Sequence, residues 1–212
     1  MTSWRFARVS LSARVRRAIL GSVLAMLLAV SGVSLSADDV TAAPKFSAMT
    51  VDARTGEVLY AQDPDGMRHP ASLTKMMTLY ILFEELKEGR LGLQSSVTVS
   101  ARATGMAPSK LGIRAGGTIT VETAIQALVV KSANDVAAAV AETISGTEKA
   151  FAKRMTTTAR AIGMSRTTFA NASGLPNPAQ VTTARDMATL GLRLMRDFPQ
   201  YYPYFRTRSF VF

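Results

Sequence analysis

The chain contains no cysteine and a single histidine, His69. Without cysteine there are no disulfides, thiolate nucleophiles or cysteine-bearing zinc sites. One imidazole is too few for a histidine-built metal centre. No metal or other cofactor is therefore expected. The chain also lacks internal repeats and low-complexity tracts, and no basic cluster with interleaved aromatics survives beyond its first segment, so nucleic acid is not an expected partner.

That first segment has no acidic residue before Asp38. Arg5, Arg8, Arg14, Arg16 and Arg17 precede the apolar run Ala18–Val30, and small residues follow at Ser34, Ser36 and Ala37. This order reads as a secretory signal cleaved near Ala37. The run falls short of the about 20 residues of a comfortable membrane span. An uncleaved anchor is the other reading. Arg16-Arg17 is a weak match to a twin-arginine signal. The formal charge is +10, and losing five arginines leaves 20 basic residues against 15 acidic ones. A mildly basic exported protein suits an anionic envelope polymer. The expected organisation is a signal peptide at 1–37, a linker at 38–45 and one domain at 46–212.

Alternation and β-branched residues predict a β-hairpin over 46–62, with Arg54-Thr55-Gly56 at its turn. Pro64, Gly66 and Pro70 make the next stretch a loop. From Ser72 to about Lys87 the apolar residues cover nearly the whole helical circumference, which marks a central, buried helix with Met76 and Met77 as core fillers. Glu84, Glu85 and Glu88 read as a solvated face at its exposed end. The segment 95–105 reads as strand-like or irregular, and 108–120 as a looped connector. Helices are predicted from Val121 with Thr120 as cap, over 135–144, over 147–162, and from Thr183 to about Arg196. Residues 167–180 form a turn-rich loop. Ser209–Phe212 looks like the start of a strand. A lone hairpin is not a stable sheet, so this pattern reads as α+β, a helical subdomain with an incomplete antiparallel sheet of which only the N-terminal hairpin is present.

Ser72 and Lys75 lie one turn apart at the head of the buried helix, on one face. A lysine desolvated by an apolar wall has a lowered pKa, and its neutral amine can take a serine proton. The same pair also fits an N-capping serine with a snorkelling lysine, and a lone S-x-x-K is a weak motif. Ser132 and Asn134, in the stretch KSAND, sit between two helices. A second hydroxyl there can relay a proton, and an asparagine amide can hold a substrate amide. Alone, the stretch is an ordinary interhelical turn. In order, S-x-x-K then S-x-N form the first part of an active-serine constellation.

PASLTKMMT, KLGIRAGGTITVETAIQALVVKSANDVAAAVAE, AFAKRM and FANASGLP together resemble the serine-type D-alanyl-D-alanine carboxypeptidases. These are the low-molecular-mass penicillin-binding proteins of the S11 peptidase group. The resemblance runs collinearly over about 46–212. It implies a β-lactamase/transpeptidase-like fold and a hydrolase that trims the terminal D-alanine from peptidoglycan stem peptides through an acyl-enzyme. It implies acylation by β-lactams at the same serine. Carried over by position, Ser72 would be the nucleophile, Lys75 the general base, Ser132 the proton relay and Asn134 a substrate-positioning residue. The location implied is the periplasm or the outer face of a bacterial cytoplasmic membrane. Membrane association would need an uncleaved signal or a C-terminal anchor. The segment 171–176 would be a wall beside the cleft or a plain turn, and His69 a loop residue at its edge without a catalytic role.

The family also needs a Lys-Thr-Gly element after S-x-N, for the substrate carboxylate and part of the oxyanion hole. This sequence has none; Arg54-Thr55-Gly56 lies before Ser72 and reads as a turn. The expectation is a chain truncated ahead of that element, poorly stable and inactive as it stands. The alternatives are a D,D-endopeptidase of the same family and a non-catalytic peptidoglycan-binding remnant. A class A β-lactamase is disfavoured, because Ser-Ala-Asn replaces Ser-Asp-Asn and no deacylating glutamate stands out after Asn134.

Overall fold

A computed structural model of the chain describes residues 46–212, which form one compact unit. The signal peptide and linker expected at 1–45 lie outside the described residues.

The hairpin pairs β1 (Ala48–Val51) with β2 (Val58–Gln62), antiparallel, with an irregularity between Thr50 and Val51. At its turn the Asp52 carboxylate accepts from the backbone N–H groups of Arg54 and Thr55, and Gly56 takes φ +81°. Arg54-Thr55-Gly56 is therefore a turn, as its sequence predicts. Every residue of β2 is exposed.

The central helix α1 (Thr74–Lys87) follows a 3-10 turn at Ala71–Leu73. With no polar stripe it has no face to give to water, and Met77, Ile81, Leu82 and Phe83 are completely buried. Each such side chain is worth about 1.5–3 kcal/mol relative to exposure. Met77 is a core filler, while Met76 packs against the core from its edge. The expected solvated glutamate face needs correction. Glu85 is 5% exposed and bridges Arg90 (2.7 Å) and Arg154 (2.6 Å). It is shielded by guanidinium groups from other parts of the chain.

A second two-stranded ladder, β3 (Ser96–Thr98) with β4 (Thr118–Thr120), was not expected beside the hairpin. Between its strands lies the short helix α2 (Ala101–Thr104). Then come α3 (Val121–Gln126), a wide π turn at Ala127–Lys131, α4 (Asn134–Ser145), α5 (Glu148–Ala161) and α6 (Ala184–Asp197). Thr120, Thr147 and Thr183 each cap a helix, accepting at 3.1 Å from the N–H three residues on. Such a cap contributes about 1 kcal/mol. Ala137, Ala138, Ala139 and Ala141 of α4 are completely buried. Small side chains let this helix pack closely against its neighbours.

The chain ends in a 3-10 turn at Tyr202–Arg206 and an irregular segment. The strand expected at Ser209–Phe212 is not formed. Instead Phe198, Tyr201 and Phe205 pack their rings around Phe83, closing one end of α1. No helix among the described residues is long and apolar enough to cross a membrane. The architecture is α+β, with the helices dominant and both sheets small.

Candidate active site

Ser72 lies in the 3-10 turn that leads into α1, so its hydroxyl is displayed at the helix mouth, exposed. One turn on, Lys75 is 3% exposed. Its Nζ donates to Asn134 Oδ1 at 2.7 Å and to the Ser173 carbonyl at 2.6 Å. Burial pushes the amine pKa down to about 8. A neutral amine has two N–H donors and one lone pair. The two acceptors occupy both donors, so the lone pair remains for a proton from elsewhere. At pH 7 a group with pKa 8 is about one-tenth neutral, about 300 times more than a free lysine. No hydrogen bond joins Ser72 to Lys75 among the described residues.

Ser72, Lys75 and Ser132 line one cavity of about 450 Å³, with Leu128 and Phe205 among its apolar walls. Ser72, Ser132 and Asn134 line an adjoining one of about 270 Å³, walled by Pro108, Ser109 and Ser173. All four expected site residues are thus brought together from three elements and the turns between them. Ser132 reaches the site through local backbone strain. It follows the π turn 127–131 at φ +53°, a left-handed conformation costly for a side-chain-bearing residue. Ala71, just before Ser72, is at φ +47°. Wide turns and left-handed residues concentrate where geometry serves chemistry.

Asn134 is committed on both faces of its amide. Oδ1 accepts from Lys75, and Nδ2 donates to the carbonyls of Ala107 (2.9 Å) and Pro108 (3.1 Å). The next residue, Asp135, is completely buried and accepts from the N–H groups of Leu111 and Gly112, both at 2.9 Å. Asn134 and Asp135 together fasten the 107–112 segment along the cleft.

The segment 171–176 is a wall of the site, one of the two readings open to it. The Asn171 side chain accepts from Gly174 N–H at 2.7 Å and closes a tight turn. Gly174 has φ +87°, and a Cβ there would come within 1.9 Å of the Ala71 carbonyl oxygen. Only glycine lets this wall touch the backbone beside Ser72. The turn also presents the Ser173 carbonyl to Lys75. Behind it, Glu148 at the head of α5 accepts from Ala172 N–H at 2.9 Å and pairs with Arg102, which also reaches Glu142. Sequence reasoning missed Asp135, Glu148 and the Ser173 carbonyl. Only Asp135 had a signal, its place directly after Asn134.

His69 sits at the cleft edge, its Nδ1 2.7 Å from the Gln180 carbonyl oxygen. It makes no contact with Ser72 or Lys75 among the hydrogen bonds of the described residues.

The family model for D-alanyl-D-alanine carboxypeptidase, peptidase S11, matches residues 32–212. A D-alanyl-D-alanine carboxypeptidase of Haemophilus influenzae is 33% identical over 89% of this chain and 50% of its own length. The crystal structure of a D-alanyl-D-alanine carboxypeptidase from Francisella tularensis superposes with a TM-score of 0.73 at 41% identity, over 75% of this chain and 38% of that one. That of penicillin binding protein 5 from Haemophilus influenzae gives 0.75 at 33% identity, over 78% and 49%. The chain spans about half the length of the curated relatives it matches. With the S-x-x-K and S-x-N residues gathered on one cleft in this fold, the chain belongs to the peptidase S11 family of D-alanyl-D-alanine carboxypeptidases.

Proposed function

We propose that this chain carries the serine side of a D-Ala-D-Ala carboxypeptidase site acting on peptidoglycan stem peptides during cell-wall remodelling. The observation that carries the reading is Lys75. Its amine is buried, its pKa is depressed to about 8, and both its donors are occupied at the cavity it shares with Ser72 and Ser132. In this mechanism Ser72 Oγ attacks the carbonyl carbon of the penultimate D-alanine. Its proton passes to the neutral Lys75 amine. The C–N bond then breaks, and the departing D-alanine amine takes a proton delivered through Ser132. Water, deprotonated by the same lysine, hydrolyses the resulting ester and frees Ser72. Asn134 positions the site by holding Lys75 and the 107–112 wall.

A β-lactam is expected to acylate Ser72 by the first half of this sequence, its ring amide opening in place of the peptide bond. The sequence contains no Lys-Thr-Gly. Loss of an oxyanion donor costs about 10²–10³ in rate, so slow acylation and slower peptide turnover are expected of these 212 residues. This keeps a second reading open, a peptidoglycan-binding remnant that never forms a covalent bond. The basic, acid-free start of the chain and the apolar run behind it support export, with the domain working outside the cytoplasmic membrane.

The test is intact-protein mass after exposure of the purified chain to a penicillin. A stoichiometric adduct that disappears in Ser72→Ala supports the acyl-enzyme reading. A folded chain that retains peptidoglycan without an adduct supports the remnant.

A further inference from the structure

A cavity of about 510 Å³ lies beside the one that Ser72 shares with Lys75, and Pro70, Leu73 and Met76 line both. Met76 is therefore part of the partition between the two spaces. Its thioether end reaches α6, the terminal methyl lying 3.9 Å from where a Cβ on Gly191 would stand. Met187 and Ala188 of the same helix line the larger cavity.

The chain has no cysteine, so a two-electron oxidant finds sulfur only in its methionines. Met77, Met155 and Met164 are completely buried, Met67 is 41% exposed and Met76 is half-buried. Met49 and Met187 line the larger cavity only, and Met76 is the one methionine in the wall around Ser72 and Lys75. Apart from Lys75 and the two serines, that wall is apolar. Lys75 is the only charged residue lining it, no charged residue lines the adjoining cavity of Asn134, and the partners of the amine are neutral. Burial alone therefore depresses its pKa. Water admitted through the partition would return the amine toward its charged form.

We infer that Met76 is an oxidation site through which a peroxide lowers the reactivity of Ser72, its sulfoxide admitting water to the wall that keeps Lys75 dry. The sulfur gives two electrons to the peroxide O–O bond and keeps one oxygen, and hydrogen peroxide leaves as water. A flexible apolar side chain becomes a polar one, and sulfoxide reduction reverses the change. Export, as proposed above, puts the domain outside the thiol-reducing cytosol. The effect on Ser72 rests on the carboxypeptidase reading, whereas the effect on Lys75 is read without any substrate.

The test treats the full chain with hydrogen peroxide and locates sulfoxides by peptide mass. Met76 should be converted at a dose that converts Met67 and spares Met77, Met155 and Met164. Lys75 is followed through its ¹³Cε resonance, assigned by its loss in Lys75→Met. On oxidation its midpoint should rise from about 8 toward 10.5. Penicillin acylation at pH 7 should slow about tenfold for each pH unit of that rise. In Met76→Leu, peroxide should move neither the midpoint nor the rate from that variant's own starting values, although Met67 is still oxidised. Methionine sulfoxide reductase should restore both in the parent chain. A Met76 left unoxidised where Met67 is fully converted overturns the inference. So does an unmoved Lys75 midpoint, or an equal response in Met76→Leu. A raised midpoint in a chain that penicillin never acylates supports Met76 as the oxidation site and contradicts the carboxypeptidase reading, so the two failures are distinguishable.

Discussion

Lys75 is the buried amine on which the proposed chemistry turns, and its cost to folding is measurable. Its pKa falls from 10.5 to about 8 through burial. In the unfolded chain it keeps its proton up to about pH 10.4. Between these values the unfolded state binds more protons than the native state, so stability rises with pH across that window. Below pH 8 both states are charged and the destabilisation is present in full. The difference amounts to about 3 kcal/mol. Urea unfolding at pH 7 and pH 10.5, compared between the parent chain and Lys75→Met, is expected to show this gain in the parent only. An equal pH response in both chains would mean that the amine is not desolvated. At this scale the sequence was most legible where residue type alone carries the chemistry. Ser72, Lys75, Ser132 and Asn134 could be singled out from their order together with the family resemblance, and the fold brings them to one cleft. The Ser173 carbonyl could not, because a backbone atom leaves no mark in a side-chain pattern. Glu85 was misread because its partner Arg154 lies far along the chain.

At the scale of elements, the buried Lys75 is held from behind by a chain of contacts. Arg102 on α2 pairs with Glu148 on α5, Glu148 accepts from Ala172 N–H, and the adjacent Ser173 carbonyl accepts from Lys75. Ala172 is completely buried, so its N–H has no water to turn to if the carboxylate is removed. Glu148→Ala is expected to cost about 2 kcal/mol and to slow penicillin acylation more than tenfold. Glu148→Gln keeps an acceptor for Ala172 and should recover most of the acylation rate, though not the Arg102 pairing. Equal acylation rates in the two variants would reduce Glu148 to a stability residue. The helices themselves were legible because their start signals are local. Thr120, Thr147 and Thr183 each stand three residues before the N–H they cap. Of the β3–β4 ladder only β3 left a trace, in the strand-like reading of 95–105; β4 is three residues at the end of a stretch that reads as a connector, so the pairing was not legible.

At the scale of the molecule, the helices and the site they carry form one buried assembly around α1, while the hairpin presents Val58, Leu59 and Tyr60 to solvent. The α+β class and the burial of α1 followed from hydrophobic patterning over the whole chain. The place of Phe198, Tyr201 and Phe205 did not: no local pattern assigns them to an element, and only the fold shows them packed on Phe83. One member of that cluster, Phe205, also lines the cavity shared by Ser72 and Lys75. Fold and chemistry therefore meet in one quantity, the protonation of the buried amine. The most direct measurement is the rate of penicillin acylation of the full chain between pH 6 and pH 10. A neutral Lys75 as base requires the rate to rise tenfold per pH unit at first and to level off with a midpoint near 8. A rate independent of pH, a midpoint near 10.5, or no acylation at any pH would contradict it.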